Sequence, residues 1–198
     1  MPRIIQIVGK APTPDGVPVR PGTERWIIGS AAPDLWDAPY ARVFDVHQVG
    51  FIQDRRPDLW AWYGQQFAPV YLVERSPEIP ASVRYPREAI TDRFGPTAGR
   101  AFSSSVDHMM ALALYEGVDL IRLDGVRMNS MEEWHTQREC LAYWIGVARG
   151  MGVDVITDPE AALVTPAIVY GFDERTGADR APGQPVLVYG VPGAMGVH

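Results

Sequence analysis

A single cysteine, Cys140, is present among 198 residues, so the chain can form no internal disulfide. That scarcity fits a reducing compartment, and we expect the protein to be cytoplasmic. Long apolar runs are also missing. No stretch of about 18 apolar residues occurs, which argues against a membrane-spanning helix. The apolar start, Ile4-Ile5-Gln6-Ile7-Val8, is too short for a signal peptide. Positive charge is scarce as well: 18 Lys and Arg stand against 24 Asp and Glu, a formal net charge of −6. This argues against an extended nucleic-acid face, but a nucleotide held by backbone amides needs few basic side chains. No Asp-x-Asp pair is evident, and no His/Cys/Asp/Glu set has recognisable ligand spacing, so no obligatory metal is expected.

What is present is an ordinary globular composition, 46% hydrophobic and 21% charged, with six Trp as large anchors and loops punctuated by 19 Gly and 18 Pro. Compact β-rich runs predict strands over residues 3–8, 25–28, 41–46, 69–73, 119–123 and 153–157. Helical spacing predicts helices over 56–67, from Pro86 to 94, over 105–116 with Gly117 as the stop, and over 131–149. Strands and helices alternate, which predicts an α/β domain over 1–163: a Rossmann-like, mainly parallel sheet flanked by helices. The tail differs. Two similar runs, Ala167-Ile168-Val169-Tyr170-Gly171 and Pro185-Val186-Leu187-Val188-Tyr189-Gly190, flank a polar, Gly-bearing stretch. They predict a C-terminal β-hairpin or arm over 164–198, able to pair with the sheet edge or to build a homo-oligomer.

Ligands of open parallel sheets bind beyond the carboxyl ends of the strands. Those ends here carry Gly9-Lys10, Gly29-Ser30, Asp45 with His47, Glu74-Arg75, Asp124-Gly125 and Asp158. Ser103, Ser104 and Ser105 open an apolar helix. They read either as caps, with Asp107 favouring the dipole, or as donors to a phosphate or carboxylate at the helix amino terminus. Lys10 is the cation best placed for phosphate. Asp45 and His47 lie on one side of a strand and suit a general base, a metal pair or a plain strand-end hydrogen bond. On the long helix, Glu133, Gln137, Cys140 and Trp144 share a face with Arg138 and His135 beside it. Glu133, Gln137 and Arg138 are candidates for substrate contact and His135 for a base. The alternative is a solvated face with Trp144 packed beneath it. His108, four residues after Ser104, could reach a phosphate or be a partly exposed helix histidine.

The run Ser-Ser-Ser-x-x-x-Met-x-Ala-x-Ala-x-x-x-Gly from Ser103, followed by Ile-x-Leu-x-Gly-Val-x-Met from Ile121, resembles the second motif of certain bacterial sialyltransferases. Gly9-Lys10-Ala11-Pro12-Thr13 stands where those enzymes carry Gly-Asn-Gly-Pro-Ser. The two segments also resemble those of small phage-encoded proteins. Ala11 replaces a glycine of the first motif, Ser105 a glycine of the second, and Arg127 the aspartate after the strand. The family's catalytic histidine has no clear counterpart. The resemblance implies a nucleotide-activated sugar donor held by Gly9, Lys10, Thr13, Ser103, Ser104 and Ser105, with Asp124-Gly125 against its ribose. Asp45, His47 or His135 would then deprotonate an acceptor hydroxyl. The resemblance thus implies a nucleotide-sugar-dependent glycosyltransferase-like protein with metal-independent, general-base transfer to an acceptor hydroxyl. The alternative is a non-catalytic nucleotide-binding or assembly protein of phage origin.

Overall fold

The computed structural model of the protein describes residues 2–11, 21–29, 39–128, 136–158, 161 and 163, which fall within the compact unit Met1–Val164. The expected C-terminal arm lies outside the described residues.

Seven strands form one sheet in the order β5-β4-β3-β2-β1-β6-β7. They are β1 (Ile4–Val8), β2 (Thr23–Ile28), β3 (Arg42–Asp45), β4 (Val70–Leu72), β5 (Ser82–Arg84), β6 (Leu120–Asp124) and β7 (Asp154–Ile156). Every neighbouring pair is parallel. The described connections carry α1 (Val49–Arg55), α2 (Pro57–Tyr63), α3 (Arg87–Phe94), a 3-10 turn (Ala98–Arg100), α4 (Ser105–Tyr115) and α5 (Arg138–Gly150). This is the Rossmann-like α/β sheet flanked by helices that the alternation predicts.

Side chains alternate across a strand, so the sheet builds two cores. Ile5, Ile7, Trp26, Ile28, Phe44, Ile121 and Leu123 face α4 and α5. Val8, Ile27, Val43, Val70 and Leu72 face Ile52 of α1 and Leu59 and Tyr63 of α2. Helix α4 is buried on nearly every side from Val106 to Leu114, the pattern of a helix central to its layer. Gly117, at φ +74°, ends it in a conformation that a side chain would oppose.

Below the amino-terminal edge of the sheet, Glu116 at the end of α4 ties four strands together. Its carboxylate takes Arg42 Nη1 at 2.6 Å and Nη2 at 3.0 Å, and Arg3 Nη2 at 2.5 Å. Arg42 also reaches Glu24 at 2.9 Å and lies 4.5 Å from the Trp26 ring centroid. Tyr71 of β4 accepts from Arg42 at 3.1 Å.

Three elements differ from expectation. The helix expected over 56–67 is α2, which ends earlier, at Tyr63, and α1 before it was not expected. Arg56 sits at φ −140°, ψ 59° ahead of Pro57, where proline disfavours the helical region for its predecessor. Strand β5 was hidden because three residues between Pro80 and Pro86 carry no periodic signal. Such a strand fits at a sheet edge, where one side needs no partner.

Candidate functional site

From β1 the chain steps outward in one direction to β5, then returns to lay β6 and β7 on the other side of β1. The order therefore switches between β1 and β6, and open α/β sheets bind ligands beyond the strand ends at such a point. Here the two loops stay in contact beyond the strands: Gly9 N donates to Asp124 O and Ala11 N to Gly125 O, each at 2.9 Å. Both glycines are required by this approach. A Cβ on Gly9 would come within 2.4 Å of Gly125 O, and one on Gly125, at φ +67°, within 2.8 Å of Ala11 O.

A cavity of about 390 Å³ opens above this junction. Gly9 and Lys10 line it from β1, residues 125–128 from β6, and Gln137 from the start of α5. The serines and Val106 bring the amino terminus of α4, and His47 comes from beyond β3. Among the described lining residues there is no carboxylate, whereas Lys10, His47 and Arg127 are basic. Arg127 is held by Asp158 at 3.1 Å. Met128 stands at φ +52°, a conformation uncommon for a side-chain-bearing residue.

The serine run folds as a capping box. Ser104 Oγ accepts from Asp107 N at 3.4 Å, and Asp107 Oδ2 accepts from Ser103 N and Ser104 N, both at 2.8 Å. Ser105 Oγ accepts from Val46 N at 3.4 Å and so ties α4 to the end of β3. The amides of Ser105 and Val106, first in the helix, have no carbonyl one turn back, and both residues line the cavity. The serines are thus both caps and cavity wall. Burial pushes the Asp107 carboxyl up to about 6, even though the serine donors pull it down.

Asp45 and His47 form a strand-end dyad. Asp45 is buried. Its Oδ1 lies 2.5 Å from His47 Nδ1, and its Oδ2 accepts from Tyr63 Oη at 2.7 Å. Since a carboxylate only accepts, Nδ1 carries the proton and Nε2 is left with a lone pair. The hydrogen bond to Asp45 holds the His47 imidazole above its ordinary pKa, against the pull of burial and Lys10. Phe51 of α1 stacks on the ring at 5.3 Å. Sequence reasoning missed Tyr63. The signal was Gly29: a Cβ there would lie 1.6 Å from Tyr63 Oη.

Other candidates are placed as follows. Asp124 gives its carboxylate to Gln6 Nε2 at 2.7 Å, and Gln6 in turn accepts from Arg25 at 3.2 Å; Gly125, not Asp124, lines the cavity. Gln137 reaches the cavity through a π turn at 136–137, a feature frequent at functional sites. Trp144 is packed beneath its helix, its indole donating to Ala101 O at 2.7 Å. His108 donates Nδ1 to Ser104 O at 2.9 Å, stacks on Phe102 at 4.3 Å, and is pushed down to about 4 by burial. Arg138 opens α5 and does not line the cavity. Thr13, Glu133 and His135 lie outside the described residues. Among the described residues, no group of three or more His, Cys, Asp or Glu could hold a metal ion, and no helix is long and apolar enough to cross a membrane.

No family model matches the chain, and no curated protein does. Among solved structures, the fold is similar to that of the sialyltransferase CstII from Campylobacter jejuni in complex with a substrate analogue, cytidine-5'-monophosphate. The TM-score is 0.52 at 11% identity over 81% of each chain. At that identity the likeness is one of fold: the chain has a sialyltransferase-like Rossmann α/β architecture. Thiamine pyrophosphokinase from Bacillus subtilis is also similar, with a TM-score of 0.46 and 13% identity over 79% of this chain. The chain spans 60% of that kinase's length.

Proposed function

We propose that the protein is a glycosyltransferase that uses a nucleotide-activated sugar and general-base chemistry. The reading rests on one observation: a helix end with open amides and a histidine oriented by a buried carboxylate line the same cavity at the switch point. His47 Nε2 takes the proton of an acceptor hydroxyl as its oxygen attacks the anomeric carbon. The bond from that carbon to the donor phosphate breaks, and the phosphate leaves with both electrons. Its charge is met by the amides of Ser105 and Val106, the positive end of α4 and Lys10. Asp45 fixes the His47 tautomer and stabilises the imidazolium that forms, and Tyr63 holds Asp45 in place. Gly9 and Gly125, which let the two loops meet, bring backbone to the cavity wall. Gln137 faces the same space and suits contact with the sugar or acceptor.

Because a nucleoside monophosphate occupies the sialyltransferase of similar fold, cytidine monophosphate is the first probe. Calorimetry is expected to detect its binding, and Lys10→Ala to weaken it by about 1 kcal/mol, roughly fivefold. His47→Ala should keep that affinity and lose about 10²–10⁴-fold in sugar release from a cytidine monophosphate-linked donor. The base must be neutral, so the wild-type rate should rise with pH through a value above the ordinary histidine 6.5. Asp45→Asn should move that rise to lower pH. Absence of binding by cytidine, uridine, adenosine and guanosine monophosphates alike would sink the assignment. Tight binding with no donor turnover would leave the non-catalytic reading.

A further inference from the structure

The amino terminus of α4 contains a group that capping alone does not account for. Asp107 is fully buried. Its Oδ2 accepts three bonds that close the serine loop, from Ser103 N at 2.8 Å, Ser103 Oγ at 3.0 Å and Ser104 N at 2.8 Å. Its Oδ1 is equally buried and has no partner. A carboxylate so loaded is asymmetric: one oxygen holds the loop, while the other carries charge into surroundings that offer no donor, where charge is costly.

We infer that Asp107 is a positioning residue that couples anion binding at the α4 amino terminus to uptake of a proton on its unpartnered Oδ1. The inference rests on the reading that the cavity holds a phosphate. With the cavity empty, the positive end of α4 is answered by the Asp107 carboxylate. A phosphoryl group at the Ser105 and Val106 amides brings a second negative charge to the same turn. Like charges at one site push the carboxyl towards its neutral form, and burial has already moved it to about 6. A proton on Oδ1 leaves Oδ2 free to keep all three loop bonds, so the charge is removed without dismantling the wall of the cavity.

The titratable groups near Asp107 supply no competing acid. Tyr85, after β5, donates to His108 O and is held above its usual range by burial and by the Asp107 charge. His108, next on α4, stays neutral, pressed down by burial and then by the charges of Arg87 and His47. His47 itself, held above its ordinary value by Asp45, lines the same cavity, so the test must separate the two.

Calorimetric titration of the full chain with cytidine monophosphate near pH 7, in two buffers of different ionisation enthalpy, reads the protons exchanged. Wild type should take up roughly half a proton or more per nucleotide beyond Asp107→Asn. His47 contributes in both proteins; the protonation of the bound phosphate is read from its phosphorus-31 shift in each protein and subtracted, because the Asp107 charge acts on it too. The Asn carbonyl still accepts from the serine loop, so above pH 7 the variant should bind at least as tightly as wild type, with a shallower pH slope. Equal proton uptake in the two proteins would overturn the inference. Should the variant fail to fold, difference infrared spectra of wild type decide: nucleotide addition should create a protonated-carboxyl band, and its absence overturns the coupling. If neither cytidine monophosphate nor inorganic phosphate binds wild type, the nucleotide reading itself fails and this inference with it. Binding without proton uptake defeats this inference alone.

Discussion

Asp107 and His108 are adjacent in the chain and titrate against each other. Burial raises the folded carboxyl of Asp107 from 3.8 to about 6, so between these values the native state binds the extra proton and stability falls as pH rises. Burial lowers the folded imidazole of His108 from 6.5 to about 4, so between these values the unfolded state binds the extra proton and stability rises with pH. Each effect is on the order of 3 kcal/mol, and over about pH 4–6 they oppose one another. Wild type should therefore show little net change from this pair across that window. Asp107→Asn should lose stability steeply as pH falls through it, read by urea unfolding at half-unit steps. Parallel profiles for the two proteins would show that the pair does not compensate. His108 illustrates what sequence spacing could not tell: its place four residues after Ser104 was visible, but its partner is the Ser104 carbonyl rather than a ligand.

At the scale of elements, α4 is fastened at both ends by different physics. Its start is a capping box among serines, and its end is the Glu116 carboxylate between Arg3 and Arg42. Burial alone would raise the Glu116 carboxyl; the two guanidiniums outweigh it and hold the group below its ordinary value. That contribution is present above the ordinary glutamate pKa and is lost as pH falls through the depressed one. Glu116→Gln leaves Glu24 as the remaining carboxylate for both cations, 3.3 Å from Arg3 and 2.9 Å from Arg42. It should cost about 1–3 kcal/mol in chemical unfolding, between the ranges for exposed and buried pairs, and leave nucleotide affinity unchanged because the site lies at the opposite edge of the sheet. A loss below about 0.5 kcal/mol would class the network with ordinary surface pairs. The helix itself was legible from Ser105 to Gly117, since a cap, an apolar run and a glycine stop agree. The clamp was not, because Glu116 meets partners 113 and 74 residues away.

For the whole molecule, six of the seven described strands were readable as short β-rich runs; β1, Ile-Ile-Gln-Ile-Val, comes near the continuous apolar run of a strand covered on both faces, whereas β6, Leu-Ile-Arg-Leu-Asp, keeps an alternation. Their spatial order was not readable. Periodicity says nothing about which strand lies beside which, so the switch between β1 and β6, and with it the meeting of Lys10, His47 and the serines, needed the structure. Gly9 and Gly125 were noticed as ligand-facing residues; the structure adds that each is there to let the other's backbone come close. The Tyr63 support of Asp45 was hidden for a similar reason, since its trace is Gly29, a glycine just past the end of β2.

The contact between those two loops has a consequence for exchange with solvent. The amides of Gly9 and Ala11 already give their hydrogens to the carbonyls of Asp124, at the end of β6, and Gly125, just past it, whereas those of Ser105 and Val106 have no carbonyl to meet. Deuterium should therefore enter the second pair quickly and the first pair slowly in the free protein. Nucleotide should slow the second pair markedly and leave the first nearly as it was, because one wall of the cavity is set before the ligand arrives and the other is completed by it. Slowing at Gly9 and Ala11 alone would mean that the loops close around the ligand instead.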